Sequence, residues 1–288
     1  MAQPGFKEWI WSLVEPSTLL GSSAYYFVVV VLEKVLRGDL LAPVLRVSQL
    51  REESFSRFWI NFSGARAANQ AAQAELVGSS ALVPPLLVQA NGVVLDIGPG
   101  TGTQTHLFTN KDLKTMYGAE PCTQLHSDLN AKITACGLAD KYRILSCGAE
   151  PHSLIPALRK AGFTASEMQA GIFDTICCVR VLCSVPNPEQ TIRGLYDLLK
   201  PGGKLLVCEH VVNPWMTGKG NVFGRLAQAV YMTLGFPFFM GGCRMTRDTA
   251  GMLRKVANPD GGWATVDLEK SFGWGPLPYV SGTLVKRG

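Results

Sequence analysis

The chain has 288 residues, which suits one α/β domain with an elaboration and not two full domains. Its 47% hydrophobic and 17% charged residues make it core-rich, which excludes a disordered chain. The net charge of +5 is mild and the Lys and Arg residues are scattered, so no nucleic-acid partner is expected.

Residues 1–75 have a texture of their own and read as a helical amino-terminal cap or lid. Phe6, Trp9, Ile10, Trp11, Leu13 and Val14 form an aromatic, helix-compatible patch, which Pro16 is expected to end. From Pro16 to Leu32 there is no charge, and Ala24–Leu32 is continuously apolar. That run is short for a membrane span and is interrupted by Gly21-Ser22-Ser23, so a helix capping the active-site mouth is the main expectation. Membrane-surface contact through this segment is the alternative, with Lys34 and Arg37 just beyond it. Tyr25 and Tyr26 are expected to face the substrate. Ser54–Leu76 reads as helix, and Phe55, Phe58, Trp59 and Phe62 share one face through spacings of three and four. That face is read as core packing, with a role in substrate binding as the alternative.

From residue 76 to 288 the pattern alternates. Strands are expected near Val93–Ile97, Thr115–Ala119, Tyr142–Ser146, Phe173–Val179, Lys204–Cys208, Thr265–Lys270 and Ser281–Val285, with helical stretches between the first five. Such alternation calls for an α/β fold: a Rossmann-like, seven-stranded, mostly parallel sheet with helices on both faces. Ligands then bind at the carboxyl ends of the strands.

The first strand runs Val93-Val94-Leu95-Asp96-Ile97 into Gly98-Pro99-Gly100-Thr101-Gly102. Glycines at alternate positions fit a tight turn where a ligand lies against bare backbone. They are not spaced as Gly-x-Gly-x-x-Gly, the dinucleotide form. Asp96 puts a carboxylate at the strand end, and Glu120 ends the next apolar segment, where a carboxylate can accept from both hydroxyls of a ribose.

These residues resemble motif I and its neighbours in the class I S-adenosylmethionine (SAM) methyltransferases. Cys147-Gly148-Ala149-Glu150 and Leu199-Lys200-Pro201-Gly202-Gly203 fall where that family has its adenine-flanking loop and the turn before strand five. The resemblance implies SAM as cofactor, with S-adenosylhomocysteine as product. It implies cofactor contacts from Asp96, Gly98, Pro99, Gly100, Thr101, Gly102, Glu120, Pro121, Gly148, Ala149, Glu150, Val179 and Arg180. Asp96 would hold the ammonium, or cap the turn's own amides. Glu120 would take the ribose and Pro121 would border the adenine.

Val179-Arg180-Val181-Leu182-Cys183-Ser184-Val185, Glu209-His210-Val211 and Gly242-Cys243-Arg244-Met245-Thr246-Arg247 further resemble the small methyltransferase-like proteins that include the vertebrate microsomal alkyl-thiol methyltransferases. The resemblance runs from roughly Gly92 to Val285. It implies methyl transfer to a thiol, hydroxyl or carboxyl of a lipophilic small molecule. A SAM-binding scaffold that guides a rearrangement or cyclisation without methylation is the alternative.

An apolar insertion at about 211–246, rich in aromatic and methionine residues, is expected to wall the acceptor pocket through Trp215, Tyr231, Phe236 and Phe239, or else to pack as a plain helix and loop. Of four histidines only His210 falls at the carboxyl end of a core strand, which makes it the candidate catalytic base or acceptor-orienting group. The eight cysteines contain no Cys-x-x-Cys pair, so no metal or redox motif is expected. Without a convincing secretory signal, a cytoplasmic protein with free thiols is expected, with membrane association left open.

Overall fold

The computed structural model of the chain describes residues 4–72, 76–218 and 220–288, the side chains of 66–72 apart. Three helices come first: α1 (Phe6–Leu36), α2 (Ala42–Leu45) and α3 (Val47–Ala72). Beyond Ala72, the expected helix over 54–76 falls on 73–75, outside the described residues.

α1 does not end at Pro16. A proline inside a helix removes one i→i−4 hydrogen bond and crowds the preceding turn. Here Tyr231 donates its hydroxyl to the Leu13 carbonyl in that turn, at 2.8 Å. Ser17 and Thr18 also bond back to the Val14 and Glu15 carbonyls. The helix continues through Gly21-Ser22-Ser23 because Ser23 is buried and donates to the Phe239 carbonyl. Arg57 of α3 forks onto Glu33 of α1 at 2.8 and 2.9 Å, and Lys34 pairs with Glu53. α1 is long and apolar enough to cross a membrane by length and composition. Its outer face leaves Phe6, Trp11, Val14, Tyr25, Val28, Leu32 and Leu36 exposed.

The strands are β1 (Gly92–Ile97), β2 (Leu113–Ala119), β3 (Tyr142–Leu145), β4 (Phe173–Val179), β5 (Leu199–His210), β6 (Thr265–Ser271) and β7 (Tyr279–Val285). They form one sheet in the order β3-β2-β1-β4-β5-β7-β6. β1 to β5 are parallel, and β7 pairs antiparallel with β5 and β6. β5 begins five residues before the expected Lys204, because Phe173 pairs with Leu199 and the register slips before Thr175 meets Lys204. Asp174 ties the strand bases together: it accepts from the Val93 amide at 2.7 Å and pairs with Lys200 at 2.8 Å.

The remaining helices are α4 (Pro84–Leu87), α5 (His126–Ala135), α6 (Pro151–Lys160), α7 (Ala165–Ala170), α8 (Pro188–Leu198), α9 (Val222–Thr233), α10 (Phe236–Phe239) and α11 (Thr249–Lys255). Strand residues alternate between two layers of core. Leu95 and Ile97 pack with Leu154, Leu195 and Leu253 of α6, α8 and α11, whereas Val94 packs with Leu87 and Leu129 of α4 and α5.

The expectation of helices between the first five strands fails at its first connection. Between β1 and β2 the described chain has only a 3-10 turn, Thr105–Leu107. Gly98, Gly100 and Gly102 all have positive φ, and the β-branched Thr101, Thr103, Thr105 and Thr109 disfavour a helix. His106 lies in this turn. α3 packs there instead: Thr101 donates its hydroxyl to Ser63 at 2.8 Å, and a Cβ on Gly100 would lie 2.8 Å from Trp59 Nε1.

Candidate functional site

β1 and β4 are neighbours from which the chain departs in opposite directions, toward β2 and β3 on one side and β5 on the other. The crevice at the carboxyl ends of such a pair is the ligand-binding position of open α/β sheets. Asp96 stands there, paired in register with Gly118 of β2 and Cys177 of β4. Tyr142 donates its hydroxyl to Asp96 Oδ2 at 2.8 Å. Burial is the larger effect, and it pushes the Asp96 carboxyl up to about 7 although the residue keeps some exposed surface.

Glu120 follows β2 and is buried. Its Oε2 accepts from the Gly100 amide at 2.8 Å and its Oε1 from the Cys122 amide at 2.9 Å. Burial raises its pKa, and those two amides oppose the rise. Each oxygen keeps a lone pair for a further donor. The glycine turn is thus braced by the carboxylate that the sequence assigns to the ribose. Gly98 has φ +60°, and a Cβ there would lie 2.8 Å from Val181 Cγ2. The turn therefore sits directly against the segment after β4. Pro99 and Thr101 complete it, Thr101 buried against α3.

The other expected cofactor residues lie at or just beyond the ends of β2, β3 and β4. Pro121 is exposed. The Gly148 amide donates to Ser153 Oγ at 3.0 Å, and a Cβ on Gly148 would collide with the Glu150 carboxylate. Ala149 and Glu150 are buried, and the Glu150 carbonyl caps α6 by accepting from the Ser153 and Leu154 amides. Val179 ends β4. Arg180 follows with φ +59°, which is strained for a residue with a side chain. It donates to the Ser79 carbonyl at 3.0 Å and lies over the Tyr279 ring. Its guanidinium thus ties the end of β4 to the turn at Gly78–Ser80. Asp96, Glu120, the three glycines and the Gly148–Glu150 loop fit a cofactor that carries an ammonium, a ribose and a flat base.

The six expected acceptor-pocket residues do not form one wall. Tyr25 and Trp215 face outward, with 64% and 44% of their surface exposed. Phe239 packs on Phe27 of α1. Tyr26, Tyr231 and Phe236 do come together, in a cluster with Phe58, Met240 and Met245. The Tyr231 hydroxyl is already engaged with α1. The aromatic face of α3 both joins this core, through Phe58, and roofs the glycine turn, through Trp59.

His210 ends β5 with Nδ1 3.5 Å from Cys243 Sγ, and its ring meets Tyr279 edge-on. Cys183 is the third member of this group, with its ligand atom within 4.8 Å of both others. The neighbouring Cys243 thiol and the His210 ring hold the Cys183 thiol below the ordinary range.

Sequence reasoning did not assign Glu209. It is fully buried, and its Oε1 accepts from the Val181 and Leu182 amides at 2.9 and 3.0 Å. Burial pushes it up to about 8. A lone acid in the run Leu205-Leu206-Val207-Cys208-Glu209 was the available signal. Arg247 completes the clamp by donating to the Leu182 and Val185 carbonyls.

A mostly parallel sheet with this strand order, a three-glycine turn and two strand-end acids define a Rossmann-like fold of the class I SAM-dependent methyltransferase type. A family model described as a methyltransferase domain matches residues 71–250, and the chain belongs to that family. Among curated proteins it is similar to thiol S-methyltransferase TMT1B of Rattus norvegicus, at 29% identity over 129 residues, 43% of this chain and 48% of that protein. It is also similar to the ubiquinone biosynthesis O-methyltransferase of Xanthomonas euvesicatoria pv. vesicatoria, at 51% over 84 residues, 27% of this chain and 34% of that one. The chain spans about half the length, or less, of these relatives. Among solved structures, an O-methyltransferase family protein from Burkholderia thailandensis shares the fold with a TM-score of 0.51 at 15% identity, over 84% of this chain and 62% of that one.

Proposed function

We propose that this chain transfers a methyl group from SAM to a lipophilic small molecule, with a thiol as the favoured acceptor and a hydroxyl or carboxyl as the others. The observation that carries the reading is the pair Asp96 and Glu120 flanking the glycine turn at the sheet's switch point, with Glu120 bonded to the turn itself. The thiol preference draws on the similarity to the rat thiol S-methyltransferase.

SAM supplies an electrophilic methyl on a sulfonium. The protein's part is alignment in a dry space, which is worth on the order of 7–11 kcal/mol in well-oriented reactions. Asp96 holds the ammonium, Glu120 the ribose hydroxyls, and the Gly148–Glu150 loop the adenine. Val181, pressed on Gly98, sets how far the turn stands from the segment after β4. α1 to α3 act as a cap that excludes water, with Trp59 and Phe58 as its inner face. His210 orients the acceptor at the far end of β5.

The acceptor's lipophilic character has a structural counterpart. The outer face of α1 is apolar, and the helices packed on α1 also carry exposed apolar residues: Leu40, Leu41, Val44 and Leu45 around α2, and Val222, Phe223, Leu226, Val230 and Leu234 on and just beyond α9. Such a face suits contact with a membrane surface, from which an apolar acceptor would be drawn. The test is mass spectrometry after incubating the protein with methyl-labelled SAM and lipophilic thiols, phenols and carboxylic acids. A labelled thioether is the expected product, and SAM binding without any labelled product would count against methyl transfer.

A further inference from the structure

We propose that Cys183, His210 and Cys243 form a binding site for a thiophilic divalent cation such as Zn²⁺, with the acceptor thiol as its fourth ligand. The cation site stands on geometry alone; the acceptor's place in it rests on the methyl-transfer reading above.

The three ligand atoms, two sulfurs and one ring nitrogen, lie within 4.8 Å of one another. Zinc takes Cys sulfur at about 2.3 Å and His nitrogen at about 2.0–2.1 Å in a tetrahedral site, so the S···N edge of that tetrahedron is roughly 3.6 Å. Cys243 Sγ and His210 Nδ1 are 3.5 Å apart. The same distance suits a thiol–imidazole hydrogen bond, so the arrangement of the whole group has to decide.

That arrangement is prebuilt from three separate parts of the chain: the turn after β4, the end of β5, and the loop after α10. The Arg244 amide donates to the Cys183 carbonyl at 2.9 Å, joining the two cysteine-bearing loops. Gly241 and Gly242 have φ of +59° and +86°, which lets the chain turn Cys243 inward, and Gly242 packs against the Ser184 carbonyl. Glu209 holds the Val181 and Leu182 amides, and Arg247 holds the Leu182 and Val185 carbonyls. Outer partners of this kind fix the ligands of metal sites before the ion arrives. Phe58, Tyr231, Phe236, Met240 and Met245 surround the cysteines with apolar surface. Soft sulfur ligands with an imidazole select zinc over the hard cations.

Three protein ligands, and no fourth His, Cys, Asp or Glu in the group among the described residues, match the open catalytic pattern and not the closed structural one. Val181, two residues before Cys183, packs against Gly98, so one segment after β4 carries both a ligand of the cation and a contact to the glycine turn. A thiol that binds at the open position gives its proton to solvent and becomes a thiolate. Its sulfur then forms the new S–C bond while the sulfonium S–C bond breaks, with that electron pair left on the departing sulfur as a neutral thioether. Thiol and sulfonium go in; methyl thioether, S-adenosylhomocysteine and one proton come out.

The test is a titration of metal-stripped, full-length protein with Co²⁺. One equivalent is expected to give thiolate-to-cobalt charge-transfer absorption and the strong visible bands of a four-coordinate site, both abolished by Zn²⁺. Cys183→Ser and Cys243→Ser should each weaken binding at least tenfold, while Cys136→Ser, outside the group, leaves it unchanged. X-ray absorption of the zinc-loaded wild-type protein should show two sulfur scatterers and requires no variant to fold. Absence of the charge-transfer band, bands that persist in both cysteine variants, or zinc with only nitrogen and oxygen neighbours would each overturn the site. Adding a lipophilic thiol to the cobalt form should shift the charge-transfer band; an unmoved band would overturn the acceptor's place at the metal. These spectra are read without turnover, so they stand or fall separately from the methyl-transfer assay.

Discussion

Substituting Asp96 by asparagine isolates the electrostatic cost at the centre of the proposed cofactor site. Burial raises this carboxyl from 3.8 to about 7. At 1.36 kcal/mol per unit that is about 4 kcal/mol of preference for the neutral form in the folded chain. The folded pKa is the higher one, so this stabilisation is fully present below pH 3.8 and is lost as pH rises through about 7. Above pH 7 the cofactor-free protein carries an ionised, largely enclosed carboxylate. Asp96→Asn keeps an oxygen for the Tyr142 hydroxyl and never ionises. Urea unfolding across pH 4 to 8 should therefore show the variant gaining on the wild type as pH rises, by up to about 4 kcal/mol at pH 8. SAM binding gives the opposite readout, since its ammonium favours the ionised carboxylate. Wild-type affinity by calorimetry should fall roughly tenfold per pH unit below 7, and the weaker affinity of Asp96→Asn should be flat over the same range. Parallel stability–pH curves for the two proteins would refute the burial argument. A pH-dependent stability with pH-independent SAM affinity would refute the ammonium assignment.

Removing the Tyr142 hydroxyl with Tyr142→Phe takes away the hydrogen bond that opposes burial, so wild-type stability at pH 8 should drop by about 1.5–3 kcal/mol, measured by the same unfolding series. Gly100→Ala puts a side chain at φ +60° and against Trp59; it should lower stability by about 1–3 kcal/mol and abolish measurable SAM binding, read by thermal shift and calorimetry. Glu209→Ala leaves the Val181 and Leu182 amides without their acceptor, and should cost about 2–5 kcal/mol in chemical denaturation. On the outer face, Trp11→Ser with Phe223→Ser removes two exposed aromatic side chains, each worth about 1.5–3 kcal/mol when buried; co-sedimentation with phospholipid vesicles should weaken at least about a hundredfold, and unchanged sedimentation would dissociate that face from lipid.

Much of the proposed cofactor site, the glycine turn and its flanking acids, was legible as structure because it depends on local chemistry. An apolar strand, a turn that demands positive φ, and an acid at the strand's end lie within a few residues, and Asp96, Gly98, Gly100 and Glu120 all occupy the crevice that the alternating pattern implies. The acceptor half was less legible because its residues are assembled by packing. Tyr231 reads as a pocket residue by composition, but its hydroxyl bonds the turn of α1 that Pro16 disturbs. The aromatic face of α3 reads as core, and only its packing reveals that Trp59 roofs the glycine turn.

The sequence by itself determined the strands and the glycine turn, since strand periodicity and glycine dihedrals are properties of neighbouring residues. Only the tertiary structure decided that α3 stands where a helix after the glycine turn was expected, that Glu209 braces the segment after β4, and that Cys183, His210 and Cys243 meet. Those three residues share no spacing that could announce them. They converge because parallel strands deliver their carboxyl ends to one edge of the sheet, and the loop after α10 folds back over that edge.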